Sequence, residues 1–432
     1  MSEHATPRFA RKMNLHDWLT YLESLHPKTI ALGLERVAQV KQRLNLQADF
    51  PIITVGGTNG KGSVCAMLES MLHAAGYRVG CYTSPHLLSY NERVRIGKKQ
   101  VGDAELCRSF EKIEQARGDI SLTYFEFGTL AAMQCFISHK VEVAILEVGL
   151  GGRLDAVNVF DSDCAVVTGV DIDHTDYLGD TREQIGFEKA GIFRTGKVAI
   201  CADEDVPQTV VDHAEKIGAE LWRIGREFGF TPHHGQWDYR SSAGSRSALP
   251  YPALRGTYQL NNASAALAAL DALKEKLPVS MEAVRRGLVE VTLPGRFQIV
   301  PGSPQLILDV AHNPHAARSL AQNLSGLPPC GKTFAVFAML KDKDIAGVVR
   351  VLKGQIDVWL AASIDAPRGA TAAEVARVLA SEGIAGEIKE FPSIENALLH
   401  ACNESSENDR IAAFGSFYTV AEVMRVRGLR HA

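Results

Sequence analysis

Apolar residues recur at helical spacing over 15–25 and 34–44 (Leu15, Trp18, Leu19, Leu22, Leu25; then Leu34, Val37, Val40, Leu44), with a break at His26-Pro27. A repeat near 3.6 residues marks an amphipathic helix and proline ends one, so two helices are predicted before the first strand. Residues 29–33 between them (Thr29, Ile30, Ala31, Leu32, Gly33) read on their own chemistry as a plain turn. The apolar run 52–55 passes into a glycine-rich segment and then a helical pattern, 63–75, stopped by Gly76. Strands are predicted at 78–82, 141–146, 164–170 and 197–201, with helices at 104–115 and 129–138 and the run 122–127 between those two helices. Alternation of this kind predicts an α/β fold with a mostly parallel sheet.

Residues 203–255 carry weaker signals and a Gly/Ser-rich patch at 241–247, read as a mobile insertion or hairpin loop. A strong helix starts at Gln259, with Asn261 or Asn262 as a candidate cap. The pattern breaks at Leu293-Pro294-Gly295-Arg296-Phe297, and a fresh alternation follows: strands 306–310, 333–337, 358–361 and 411–414, helices 314–324, 345–352, 371–379, 394–401 and 419–425. The expected organisation is a first unit over 1–293, a hinge at 294–300 and a smaller α/β unit over 301–432.

The junction at 52–63 is the strongest local signal. Glycines 56, 57, 60 and 62 let backbone N–H groups wrap an anion at a helix N-terminus whose dipole favours negative charge, and Lys61 adds a point charge for distal phosphates. The strict GxxxxGK[ST] pattern asks for Gly at 55 and Ser or Thr at 62, where this chain has Val55 and Gly62; Ser63 comes one place late. The glycine spacing and the lysine speak against a dinucleotide-binding dehydrogenase.

Strand ends supply further chemistry. Thr83-Ser84-Pro85-His86, Glu147 and Asp171-Ile172-Asp173-His174 follow three predicted strands. Ligands bind at the carboxyl edge of a parallel sheet, so Ser84, Glu147 and His174 should converge on the phosphate loop. Hydroxyl, carboxylate and imidazole together make an oxygen-rich shell for magnesium, although singly each has an ordinary reading as cap, solvated acid or hydrogen-bonded histidine. Lys189 alone reads as a snorkelling side chain. The second unit's first strand ends in Asp309-Val310-Ala311-His312-Asn313-Pro314, which points to chemistry in the cleft between units.

Composition narrows the setting. The 432 residues are 46% hydrophobic and 22% charged, with a net charge of -4, which leaves no electrostatic footprint for nucleic acid or anionic lipid. Eight scattered cysteines without a C-x-x-C pair read as reduced core residues. The N-terminal Arg8, Arg11 and Lys12 lack a following apolar region, and no run reaches the roughly 18 apolar residues of a membrane span. A cytoplasmic monomer without nucleic-acid or membrane partners is expected.

The loop, Glu147, His174 and the Asp309-to-Pro314 run together resemble the Mur ligase superfamily of ATP-dependent amide-bond ligases, and within it the bacterial dihydrofolate synthase/folylpolyglutamate synthase family. The resemblance runs from Leu15 to Gly415-Ser416-Phe417, and the family loop GTNGKG[ST] is met by Gly57 to Ser63. It implies an N-terminal P-loop ATPase-type domain, a C-terminal Rossmann-like domain, and ligation of L-glutamate to dihydropteroate and reduced folates through an acyl phosphate, using ATP and two magnesium ions. For ATP it implies Thr58, Asn59, Gly60, Lys61, Gly62, Ser63, Asn262, Arg296 and Asp309, with His312 facing the γ-phosphate. For metal it implies Ser84, Glu147, His174 and Lys189, the lysine carbamylated. For the pterin it implies Ala31, Leu32 and Gly33, Thr123, Tyr124, Phe125 and Glu126, and Leu154, Asp155 and Ala156. Asp155 or His312 is the candidate base for glutamate. The alternatives are a phosphate-loop ATPase or GTPase switch module and a cell-wall precursor ligase acting on a UDP-sugar.

Overall fold

The computed structural model describes residues 13–27, 30–256, 258–384 and 386–429; Arg8, Arg11, Lys12 and Thr29 lie outside them. The strand Ile52–Gly56 is central, paired in parallel with Val143–Glu147 on one side and Cys164–Val167 on the other. Its alternate side chains enter two cores. Ile52 shares one core with Trp18 and Val37 from the N-terminal helices and Phe127 from the helix Tyr124–Ser138, whereas Ile53 and Val55 share the other with Met67 and Leu267 from the helices Lys61–Ala74 and Gln259–Ala272. Burial on both faces explains why this strand reads as a continuous apolar run.

The eight-stranded sheet is ordered Lys99–Gln100, Val94–Ile96, Val79–Tyr82, Val143–Glu147, Ile52–Gly56, Cys164–Val167, Val198–Cys201 and Glu220–Arg223. Only the edge hairpin at Val94–Ile96 and Lys99–Gln100 is antiparallel, and its strands are too short to register as a pattern. The run 122–127 is not a separate element. Thr123 caps a helix, Tyr124–Ser138, by accepting from the Glu126 amide while Glu126 accepts from the Thr123 amide, an arrangement worth about 1 kcal/mol.

Residues 203–255 are an ordered part of the fold rather than a mobile insertion, and the Gly/Ser-rich patch holds the hairpin of the two expected readings, turning between Ser241 and Gly244. They form the helix Gln208–Ile217, the edge strand Glu220–Arg223 and a three-stranded antiparallel sheet, Phe228–Pro232, Trp237–Ser241 and Gly244–Leu249. Buried Asp271 anchors that sheet by accepting from Tyr239 Oη at 3.0 Å and Ser241 Oγ at 2.7 Å and by pairing with Arg246. Neither Asn261 nor Asn262 caps the following helix: Tyr258 is its N-cap, Asn261 donates to Glu204 and Asn262 donates to Gln259 Oε1.

The second sheet has six strands, ordered Gln298–Val300, Gln305–Leu308, Arg410–Phe414, Thr333–Phe337, Val358–Ala362 and Glu387–Phe391. All pairings are parallel except that of Gln298–Val300, which begins within the segment read as a hinge. Helices cover both faces over two apolar cores. The protein is thus α/β throughout, a mostly parallel P-loop ATPase-type sheet followed by a smaller Rossmann-like unit. Among the described residues no helix is long and apolar enough to cross a membrane, and the eight cysteines are unbridged.

Candidate active site

The phosphate loop is shaped by two glycines. Gly57 has φ 142°, and a Cβ there would fall 1.9 Å from Thr168 Oγ1; Gly60 has φ 88°, and a Cβ would fall 2.5 Å from Asn262 Oδ1. No side chain caps the helix Lys61–Ala74, so its first amides face outward. Lys61 Nζ folds back to donate to Gly57 O at 2.9 Å and Thr58 O at 3.2 Å. Burial lowers its pKa, with Glu147 and Asp173 opposing.

This loop forms one wall of a cavity of about 820 Å³. The cavity brings together Thr58 to Ser63, Ser84, Glu147, His174, Lys189, Asn262, Arg296, Asp309 and His312. Glu147 Oε2 accepts from the Ser84 amide at 3.0 Å, and Oε1 has no hydrogen-bonding partner among the described residues. Burial raises this carboxyl against the pull of Lys61. His174 lies beyond the strand Cys164–Val167 rather than at its tip, in a left-handed conformation (φ 53°) at the start of the short helix Thr175–Leu178. Lys343 Nζ approaches His174 Nε2 at 3.4 Å, and burial with that ammonium lowers the imidazole to about 4, leaving it neutral.

Lys189 lies in the last turn of the helix Arg182–Ala190 and is buried, and its Nζ has no hydrogen-bonding partner among the described residues. Burial, then the Lys61 charge, lowers its amine to about 7. Among the described residues no three His, Cys, Asp or Glu side chains stand close enough to hold an ion by themselves. The donors nonetheless suit a small, hard divalent cation: a free oxygen of a buried carboxylate, the Ser84 hydroxyl and a neutral imidazole.

From the connector, Arg296 reaches the loop, with Phe417 of the second unit under its guanidinium at 5.2 Å and Nη1 buried without a partner. A side chain at Gly62 would meet Arg296 Nη2 and Glu147 Oε1, each at 3.9 Å. An orphaned buried guanidinium donor beside uncapped helix amides fits a phosphate. Asp309 is spent on backbone: it accepts from the Phe297 and Ala311 amides, both at 2.8 Å, and so ties the connector to the second sheet. Because His312 Nδ1 must donate to Val310 O, at 2.8 Å, its Nε2 carries the lone pair, 3.8 Å from Asp173. Burial, then Lys343, lowers His312 to about 4.

The residues assigned to the pterin gather behind this cavity. Arg36 donates to Ala31 O at 2.7 Å and pairs with Glu126 at 2.9 Å; the Gly33 amide donates to Leu154 O at 3.3 Å. Phe125 packs so closely on Gly149 that a Cβ there would fall 2.7 Å from the ring. Asp155 accepts from the amides of Gly149, Leu150 and Val157 at 2.8–3.0 Å, and burial raises it to about 7. Its oxygens are engaged by backbone, and neither it nor Leu32, Tyr124 or Ala156 lines the 820 Å³ cavity.

Contacts that sequence reasoning did not foresee join the units, two of them through Lys343 and His315, which it passed over. Lys343 and Asp173 form a largely buried ion pair at 2.7 Å, and the Lys343 ammonium with His174 and His312 outweighs burial to hold Asp173 well below the usual carboxylate range. Asn59 and Asn313 exchange two amide hydrogen bonds, both 3.2 Å; Asn59 also donates to His315 Nδ1 at 2.8 Å and Asn313 to Asp173 at 3.1 Å. Asp173 adjoins the chosen His174, which was a usable signal. Lys343, in the charge-rich Lys341-Asp342-Lys343-Asp344 run, offered none.

Two family models match: the Mur ligase middle domain over residues 55–270 and the Mur ligase glutamate ligase domain over residues 295–417. The chain is 48% identical to the dihydrofolate synthase/folylpolyglutamate synthase of Escherichia coli (strain K12) over 419 residues, 97% of this chain and 96% of that one. It superposes on E. coli FolC in complex with DHPP and ADP with a TM-score of 0.92 at 48% identity, covering 97% of this chain and 99% of that one. A bifunctional folylpolyglutamate synthase/dihydrofolate synthase with Mn, AMPPNP and L-glutamate bound gives a TM-score of 0.89 at 48% identity, covering 96% and 98%. None of these three is a switch ATPase or a cell-wall precursor ligase. The chain belongs to the dihydrofolate synthase/folylpolyglutamate synthase family of Mur ligases.

Proposed function

We propose that this protein is an ATP-dependent ligase that adds L-glutamate to dihydropteroate, forming dihydrofolate, and to reduced folates, forming folylpolyglutamates. The observation that carries this reading is the placement of the phosphate loop, Glu147, His174 and Lys189 opposite Arg296 and His312 across one cavity between two α/β units. The outward amides of residues 61–63 and Arg296 Nη1 would receive the ATP phosphates, with Lys61 turning from Gly57 O and Thr58 O toward them. Asn262 would face the adenine side. Asp309 would act by holding the connector that delivers Arg296.

Ser84, Glu147, His174 and carbamylated Lys189 would hold two magnesium ions, which when bound neutralise phosphate charge. The acceptor's carboxylate attacks the γ-phosphate in line, giving an acyl phosphate and ADP; the glutamate amine then attacks that carbonyl and phosphate leaves. The segments at 31–33, 123–126 and 154–156 would hold the pterin, with the Phe125–Gly149 contact between them and the nucleotide wall. Of the two candidate bases, His312 has the free nitrogen at the cavity, and bound anions would oppose the burial that depresses its pKa. Asp155 is better suited to fixing the Gly149-Leu150 loop. The units are taken as 1–293 and 301–432 about a hinge at 294–300, in a cytoplasmic monomer.

ADP release with ATP, magnesium and glutamate, scanned over dihydropteroate, tetrahydrofolate and UDP-muramoyl acceptors, tests this function. Turnover that requires a pterin acceptor is expected. Equal ADP release without a pterin would refute ligation, and activity on tetrahydrofolate alone would reduce the claim to folylpolyglutamate synthesis.

A further inference from the structure

Arg93 closes the turn Tyr90–Arg93 and lines the same cavity as the phosphate loop, together with His86 and Leu87. The turn is stiff: Glu92 accepts from the amides of Leu87, Leu88 and Ser89 at 2.6–2.7 Å. The Arg93 guanidinium lies 5.5 Å from the ring centroids of both Tyr90 and Tyr124, and its Nε donates to His86 Nδ1 at 2.9 Å. No carboxylate pairs with it among the described residues, and neither Nη has a protein partner. Arg95, two positions on, is by contrast paired with Glu69 at 2.8 Å. An oriented guanidinium with its outer fork free, on a cavity wall, is a carboxylate receptor. Tyr124 belongs to the run assigned to the pterin, so Arg93 stands where the carboxylate-bearing end of an acceptor must pass to reach the γ-phosphate.

The two acceptors differ at that end. Dihydropteroate carries one carboxylate, which reacts. A folate carries two on its terminal glutamate, and only the γ-carboxylate reacts, which leaves the α-carboxylate to be bound. Resting on the function proposed above, we infer that Arg93 holds the α-carboxylate of the folate acceptor and so selects for folates and for γ-linkage.

The test compares wild type with Arg93→Gln and Arg93→Lys on dihydropteroate, on tetrahydrofolate and on a tetrahydropteroyl-4-aminobutyrate acceptor that lacks the α-carboxylate. In Arg93→Gln, kcat/KM for tetrahydrofolate relative to dihydropteroate should fall on the order of 10- to 100-fold, as for a lost charge-assisted hydrogen bond. Arg93→Lys should recover part of the ratio. On the 4-aminobutyrate acceptor, Arg93→Gln should cost no more than it does on dihydropteroate. An unchanged ratio overturns the inference, whether both activities fall together or neither falls; so does a loss carried by the KM for L-glutamate with both acceptors. If wild type used neither pterin acceptor, the function itself would fail instead.

Discussion

Replacing Lys189 by methionine removes an amine whose titration is already displaced: burial, then the Lys61 charge, lowers it from 10.5 to about 7, with Asp173 opposing. At pH 7 about half of such side chains are neutral, against about 0.03% for an ordinary lysine, a gain on the order of 10³ in the nucleophile that carbon dioxide requires. Carbamate formation should therefore rise with a midpoint near pH 7, read from the ¹³C signal in labelled bicarbonate. Activity lost on removing carbon dioxide should return with bicarbonate. Stability tracks the same group. Between pH 7 and 10.5 the unfolded chain binds a proton that the folded chain does not, so stability rises with pH across that window. At pH 7 the buried amine costs about 4 kcal/mol. Lys189→Met should then be inactive, yet more stable by a comparable amount in metal-free, carbon-dioxide-free buffer, as measured by urea titration. Equal stability of the two proteins at pH 7, or a carbamate midpoint near 10, would refute the reasoning.

Two further substitutions probe the cleft. Asp173→Asn leaves the Lys343 ammonium buried without its partner, a loss of about 3–5 kcal/mol in the docking of the units; the radius of gyration from small-angle scattering should increase, and an unchanged radius would count against the pairing as a clamp. Gly60→Ala forces a left-handed residue costing about 1–2 kcal/mol and drives a methyl into Asn262; ADP affinity by calorimetry should drop about 5- to 30-fold, the equivalent of that strain, and wild-type affinity would show that the loop tolerates a different path.

Legibility from sequence followed burial and locality. Ile52–Gly56 and Thr333–Phe337 are buried on both faces and stood out as apolar runs. Glu387–Phe391 is an edge strand bearing Glu387, Lys389 and Glu390, and its charges hid it. The Phe228–Leu249 sheet was legible only as a possible hairpin at 241–247, because its strands are half exposed and its anchor, Asp271, lies in a later helix. Glycines and strand-end polar residues announced the phosphate loop, Ser84 and Glu147, since local backbone sets their position. His174 was placed one turn too near the strand, because a left-handed residue before a four-residue helix leaves no periodic trace. Lys343 and His315 matter through partners far away in the chain, which no local pattern encodes.

The reciprocal amides of Asn59 and Asn313 make two distant codons behave as one locus. Each asparagine uses both its oxygen and its nitrogen on the other, so a change to aspartate or leucine at either position leaves a mismatched face that only a matching change across the cleft can repair. A chimera that joins the first unit of one family member to the second unit of another therefore inherits half of this handshake from each parent, and its seam is decided by two side chains 254 residues apart rather than at the connector where the chains are cut.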